Sequence, residues 1–277
     1  MNKTILAFLA LCLMACTGKK TQQSKSSQQQ ELEGIHIKEL TDMRLIHLQG
    51  NKDEKRMPNQ LFYGEKDSAL VEQLSPEGSV AASMSCFLIQ KDGKNILFDT
   101  GNGSASGGQL QKRLKDLQLS PSDIDYLFIT HFHFDHIGGM TENDSAAFPN
   151  AEVYVPETEY AYWCTQEGDA LSQKSMDAYA GRLHRFTLED TLPMGVIAHD
   201  AKGHTPGHTA YEIGQVLIAG DFMHGADLQL KHPELCASYD MNREEAIQTR
   251  LWVSEYGKSK SLIIAGMHLP GNGLLQE

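Results

Sequence analysis

Residues 130–139 read THFHFDHIGG. Within six positions stand His131, His133, Asp135 and His136, directly after the apolar run IDYLFIT at 124–130. In extended chain successive side chains turn to opposite sides, so His131 and His133 are expected on one side and Phe132 and Phe134 on the other, in the core beneath the site, with pocket lining open to one of the two. Asp135 and His136 fall where the strand turns, and Gly138 and Gly139 are read as the residues that permit a tight turn. Four donors then converge at one strand tip. Neutral imidazole and carboxylate are the donors that zinc and related first-row metals take. A lone histidine is more often a packed or surface residue, but an H-x-H-x-D-H cluster is poorly explained that way. Four donors exceed what one open catalytic ion needs from one segment. Two ions are therefore expected, with His131 and His133 on one and Asp135 and His136 on the other.

Two ions need further ligands from other strand ends. His204 lies in GHTPGHT (203–209), Asp221 in VLIAGDF (216–222), and His268 ends LIIAGMH (262–268). Each is a polar residue that abruptly follows hydrophobic chain, as a site built on rigid strand tips requires. His208, four residues past His204, is read as structural or as a support for the ligands. His36, His47, His184, His199 and His232 show no partner pattern and are read as ordinary residues.

Around this segment the chain reads as strands and helices in alternation. SCFLIQKDGKNILFDTG (85–101) carries Asp-Gly between two apolar runs, a hairpin signal. AEVYVP (151–156) reads as a strand, as do runs within 196–222 and the last run before His268. Helices are expected over QLQKRLKDLQL (109–119), ETEYAYWCTQ (157–166) and REEAIQTRLWVSEYGK (243–258), the last stopped by its glycine, and a weaker helical pattern covers 165–185. Two central sheets with helices outside, in one domain, follow from that order. In MPNQLFYGEKD (57–67), Met57, Phe62 and Tyr63 suggest an apolar lip over the metals, with ordinary packing favoured.

The chain has 277 residues, enough for one large domain or two small ones. Its formal net charge of −12 and lack of a basic stripe argue against a nucleic-acid partner. MNK followed by TILAFLALCLMA (4–15) is too short an apolar run to span a bilayer comfortably, and LMAC resembles the lipobox of bacterial lipoproteins. The expected organisation is a signal peptide at 1–15, a lipidated Cys16 with a polar tether over 16–33, and a hydrolase domain over 34–277. The protein would then be an envelope lipoprotein touching the membrane through its lipid alone. Cys86, Cys164 and Cys236 are three widely spaced thiols without a CxxC pair, so no disulfide framework is expected, and at most one pair could bridge in an oxidising periplasm. Nothing in the sequence speaks to oligomeric state.

THFHFDHIGG, GHTPGHT, GDF and the late GMH occur in the order of the metallo-β-lactamase superfamily, which the chain resembles over roughly residues 80–270. That resemblance implies an α+β fold: a four-layer αββα sandwich of two mixed β-sheets with helices on both outer faces and a dinuclear site at one edge. It implies His131, His133 and His204 on the first metal, Asp135, His136 and His268 on the second, and Asp221 bridging. It also gives Asp99, in LFDTG, the role of holding a metal-bound imidazole. FPNAEVYV, EYAYW, AGDFMHGADLQLKHPE, SYDMNREEAIQTR and GMHLPGNG are similar to the methyl parathion hydrolase-like branch, near the acyl-homoserine lactone lactonases. That branch usually ends HLPFPGxG, whereas this chain runs His268-Leu269-Pro270-Gly271. The lactonases carry a tyrosine three residues past the bridging aspartate, where this chain has His224.

The implied chemistry is hydrolysis of a small-molecule lactone, carboxylic ester or organophosphate by a hydroxide held between two divalent ions, Zn2+ first, with Fe or Mn as alternatives. Such ions lower the pKa of water from near 16 to about 7. Asp135 would bind the second ion and orient the hydroxide, and His224 would either protonate the leaving group or simply pack. No GxSxG elbow competes for a covalent route. Two alternatives stand beside this: a mononuclear iron enzyme of the same fold acting on persulfides, and a non-catalytic zinc-binding lipoprotein.

Overall fold

The Asp-Gly hairpin organises the first sheet. In the computed structural model, which describes residues 32–64 and 67–275, strands Ser85–Lys91 and Lys94–Phe98 pair antiparallel with Lys91 opposite Lys94. Asp92 and Gly93 between them take φ 50° and 72°, the left-handed pair that a two-residue hairpin turn demands. The expected signal peptide, Cys16 and the tether as far as residue 31 lie outside the described residues.

Seven strands form this sheet, in the spatial order Ile35–Glu39, Met43–Gln49, Ser85–Lys91, Lys94–Phe98, Tyr126–Phe128, Glu152–Pro156, Leu183–Phe186. The first four pair antiparallel and the last three join in parallel, so the sheet is mixed. A second, four-stranded sheet runs Ile197–Asp200, Thr209–Ile213, Val216–Ile218, Ile263–Ala265, with its last pair parallel.

Period-two alternation sorts the apolar side chains into layers. From strand Ser85–Lys91, Cys86 and Leu88 pack outward with Leu110 and Leu114 of helix Leu110–Asp116 and Met176 of helix Ala170–Asp177. Phe87 and Ile89 pack inward with Phe98, Phe128, Tyr211, Val216 and Ile218, joining the two sheets. On the far side Ala210, Leu217 and Ile264 of the second sheet meet Val253 of helix Arg243–Lys260. Helix, sheet, sheet, helix is the four-layer order expected from the sequence. Among the described residues no helix is long and apolar enough to cross a membrane. Cys86, Cys164 and Cys236 are buried and unpaired.

Two local expectations need correction, and the helix expected over ETEYAYWCTQ is present but changes type along its length. Helix Arg243–Lys260 does not stop at Gly257; it ends at Ser261, whose φ is 54°. Gly257 is there for contact, because a Cβ on it would lie 2.4 Å from Ile264 Cδ1. The stretch 165–185 is only partly helical, since Leu183–Phe186 is the edge strand of the large sheet, half-exposed and therefore weakly patterned. ETEYAYWCTQ begins as an α-turn, Glu157–Tyr160, then widens into a π-helix over Ala161–Gln166, a form that recurs beside functional sites.

Candidate metal centre

The first sheet delivers the histidine cluster at the end of strand Tyr126–Phe128. His133 caps the short helix Phe134–Ile137 from an extended conformation (φ −64°, ψ 153°). Asp135 and His136 therefore ride on a helical turn, not on the bare turn expected. Gly138 is itself helical, so its smallness and that of Gly139 serve close approach and not a left-handed turn. A Cβ on Gly138 would lie 2.6 Å from Phe134 O, and one on Gly139 2.3 Å from Thr100 O. Phe132 is buried in the core as expected, whereas Phe134 is 47% exposed and lines the cavity over the site.

Two donor sets meet here. His131 Nε2 is 3.2 Å from His133 Nδ1, which is 2.9 Å from His204 Nε2. Asp135, His136, Asp221 and His268 form a second set, with all ligand atoms of each set within 4.8 Å of one another. Asp221 stands between the sets. Its Oδ1 lies 3.2 Å from His136 Nε2, and its Oδ2 lies 2.9 Å from His268 Nε2 and 3.4 Å from His204 Nε2. His204, Asp221 and His224 make a third grouping, with His224 Nε2 3.3 Å from Asp221 Oδ2. Distant parts of the chain are thus gathered at one place.

The donors fit a metal. His136 Nε2 and Asp221 Oδ1 are buried and face each other at 3.2 Å without hydrogen-bond geometry, and neither has another hydrogen-bond partner, an arrangement that a cation between them would complete. Tetrahedral zinc with bonds of about 2.0–2.1 Å places its ligand atoms roughly 3.3–3.4 Å apart, close to the spacings here. Burial drives His131 well below the usual imidazole range, and burial likewise takes His204 down to about 3 and His133 to about 4, so this triad presents neutral lone pairs. Burial alone would raise Asp221, but the charges of His136 and His268 hold it well below the carboxylate range. His136 is pushed up, because Asp221, Asp99 and Asp135 outweigh its burial. A divalent cation can replace the protons held in that second set.

The supporting contacts are equally specific. Asp99 Oδ2 accepts from His136 Nδ1 at 2.7 Å, while Thr130 donates to the same carboxylate through N and Oγ1. His208 spends both nitrogens on structure: Nδ1 donates to Ala201 O at 2.7 Å, and Nε2 accepts from Asp221 N at 3.0 Å. It positions Asp221. His268 Nδ1 donates to Ser83 O at 2.9 Å.

Two buried carboxylates escaped the sequence reading. Asp240 Oδ1 accepts from His204 Nδ1 at 3.0 Å. Glu159 takes four donors, Phe132 N, Trp163 Nε1, Thr205 Oγ1 and Gly207 N, between 2.6 and 2.9 Å. It fastens the HFHFDH segment to GHTPG. The remaining histidines serve locally: His47 bonds Ser85, and His184, His199 and His232 bond Glu152, Glu212 and Glu234.

A cavity of about 400 Å³ opens over the donors, bounded by Lys55, Met57, Met84, Asn102, Phe134 and Tyr239. Of the expected apolar lip, Met57 borders this cavity, and Phe62 is wholly buried with Val71, Val80 and Leu228.

A four-layer sandwich with histidine and aspartate clusters at the strand ends defines a metal-binding hydrolase fold. The sequence profile of the metallo-beta-lactamase superfamily matches residues 83–268, and the chain belongs to that superfamily. It is 27% identical over 184 residues to an N-acyl homoserine lactonase of Bacillus thuringiensis, covering 56% of this chain and 69% of that one. A hydroxyacylglutathione hydrolase of Shewanella baltica (strain OS195) is 34% identical over 95 residues, 34% of this chain and 32% of that enzyme, so the match spans about a third of that relative's length. Among solved structures, the hydrolase AbOPH of the beta lactamase superfamily superposes with a TM-score of 0.78 at 25% identity, covering 88% of this chain and 93% of that one. AidC, a dizinc quorum-quenching lactonase solved with a product N-hexnoyl-L-homoserine, superposes with a TM-score of 0.78 at 23% identity, covering 87% and 92%, a likeness of fold. The relatives are hydrolases, and the chain is a metallohydrolase-fold protein related to lactonases.

Proposed function

We propose that the protein is a dinuclear zinc hydrolase that opens lactones, carboxylic esters or organophosphate esters. One observation carries the reading: seven donors fall into two sets, with Asp221 of the second set only 3.4 Å from His204 of the first, beneath a cavity large enough for a small ester. The completeness of the second set favours two ions over the single iron of a persulfide oxygenase. His131, His133 and His204 would hold one ion, Asp135, His136 and His268 the other, and Asp221 both. Bound there, two divalent ions supply a nucleophilic hydroxide at neutral pH and polarise the scissile carbonyl or phosphoryl.

The chain's own residues do the rest. Asp135, whose side chain is 27% exposed, faces the cavity and orients the attacking water. His136 is held by Asp99, His204 by Asp240 and His268 by Ser83 O, so each imidazole keeps one nitrogen turned inward. In the net reaction a bond forms from water oxygen to carbon or phosphorus, the bond to the leaving oxygen breaks, and that oxygen takes a proton. His224 Nε2 is the donor we assign: the residue is fixed by Gln229, which accepts from its backbone N at 2.7 Å, and it borders the cavity.

The test is a panel of lactones, aryl esters and phosphotriesters offered to chelator-stripped and zinc-restored protein. Turnover that appears only on restoration, in at least one class, agrees with the proposal. Metal retention with no turnover of any class would instead leave a zinc-binding protein. We further propose that Cys16 carries a lipid that tethers the enzyme in the envelope. The mass of the mature N-terminus, and release of the enzyme from membranes by Cys16→Ser, test that.

A further inference from the structure

We infer that the substrate carries, besides its scissile ester, an anionic group that Lys55 recognises. This rests on the hydrolase reading above and narrows its substrate class.

Strand Lys55–Pro58 pairs antiparallel with Ser79–Ala82 and alternates strictly. Arg56 and Pro58 are exposed, while Lys55 is half-buried and Met57 buried. The outward Arg56 is committed: its guanidinium reaches Glu54 at 3.3 Å, Glu77 at 3.2 Å and Ser79 O at 2.7 Å. The inward Lys55 is not. Among the described residues no carboxylate comes within 4.0 Å of its ammonium. It lies instead on the wall of the cavity that holds Asp135, His224 and His268.

A chain with 36 acidic and 24 basic residues has carboxylates to spare for a lysine. Leaving one uncompensated beside two metal positions adds positive charge to a cavity that is already cationic once loaded: two divalent ions outweigh Asp135 and Asp221. Like charges brought together in a half-buried site cost free energy unless an anion joins them. The other cavity residues limit where that anion sits. Met57, Met84 and Phe134 are apolar or soft and suit a short hydrocarbon stem. Among the described residues Lys55 is the one lysine or arginine on this wall, so it takes the anion while the donors below take the ester. A neutral phosphotriester leaves Lys55 unanswered. An ester with a distal carboxylate or phosphate answers it.

The experiment compares 4-nitrophenyl valerate with 4-nitrophenyl hemiglutarate, which differ by the distal carboxylate, and with a distal phosphate analogue, all on zinc-loaded protein. The expected result is a preference for an anionic ester in kcat/KM, expressed chiefly in KM and weakened by salt. Lys55→Met should cut the anionic-to-neutral ratio roughly tenfold, the scale of a charge-assisted hydrogen bond, and Lys55→Arg should keep it. The two anionic arms tell carboxylate from phosphate. An anionic-to-neutral ratio that Lys55→Met leaves unaltered would overturn the inference. Calorimetric binding of glutarate stands apart from turnover: roughly tenfold weaker binding to Lys55→Met supports the inference and equal binding overturns it. If no ester is cleaved yet that binding difference is found, the hydrolase reading fails and the anion site stands.

Discussion

His204 Nδ1 donates to Asp240 Oδ1 at 3.0 Å, and the other carboxylate oxygen accepts from the buried guanidinium of Arg250 at 3.3 Å. This pairing assigns the His204 proton to Nδ1 and turns the Nε2 lone pair toward His133 and Asp221, where an ion would sit. Arg250 is tied in turn to Phe222 O on the segment that carries Asp221. One carboxylate thus links a candidate ligand histidine to the long helix behind the second sheet. Asp240→Asn keeps the shape and removes the charge. It should weaken metal retention by about tenfold or more while the circular dichroism of the fold is unchanged. Metal competition with a chelating dye checks this, and unaltered affinity would show that Asp240 only packs.

His224 is tested by its dependence on the leaving group. With His224→Ala, turnover should fall by roughly 10²-fold for poor leaving groups and far less for nitrophenol, with metal content unchanged. A uniform loss across the series would assign His224 to packing against His268, whose ring it stacks upon at 4.9 Å.

Glu159 is a buried carboxylate whose pKa is raised by burial, with its four donors opposing that rise. Glu159→Ala would strand Phe132 N, Trp163 Nε1, Thr205 Oγ1 and Gly207 N in the interior. The expected cost is about 3–5 kcal/mol in urea unfolding of the metal-free protein. A loss below about 1 kcal/mol would mean that water or relaxation replaces those bonds.

Acid sensitivity has a contributor outside the candidate metal centre. Burial takes His47 from 6.5 down to about 3, and its Nε2 is bonded to Ser85 Oγ at 2.8 Å. The unfolded chain takes up a proton near pH 6.5 that the folded chain refuses until about pH 3. Its contribution is therefore complete above pH 6.5 and is lost as pH falls, at about 1.4 kcal/mol per pH unit, or about 2 kcal/mol by pH 5. His47→Gln should flatten the stability profile over that range relative to the parent at equal metal loading. Parallel profiles would contradict it.

Legibility in the sequence followed the strength of the chemical constraint. His131, His133, Asp135 and His136 were readable because few structures other than a metal site crowd such donors together, Asp221 and His268 because each breaks an apolar run, and His204 because it opens a Gly- and Pro-bounded turn. Two central sheets with helices outside were readable from the order of strand and helix runs, and the four-layer sandwich from the family resemblance alone; the sorting of Cys86 and Leu88 from Phe87 and Ile89 into separate layers was not, because all four are apolar. Asp240, Glu159 and Ser83 were not, since their partners lie 36, up to 48 and 185 residues away and nothing local distinguishes a buried acid from a solvated one. Gly257 misled because a glycine near a helix end signals a stop, whereas tertiary contact with Ile264 set its identity.

The most direct test of the account is anomalous diffraction from crystals of the zinc-loaded protein, recorded on both sides of the zinc edge. The account predicts two zinc peaks flanking the Asp221 carboxylate, one against His131, His133 and His204, the other against Asp135, His136 and His268. A single peak, or an iron signal in place of zinc, would contradict it.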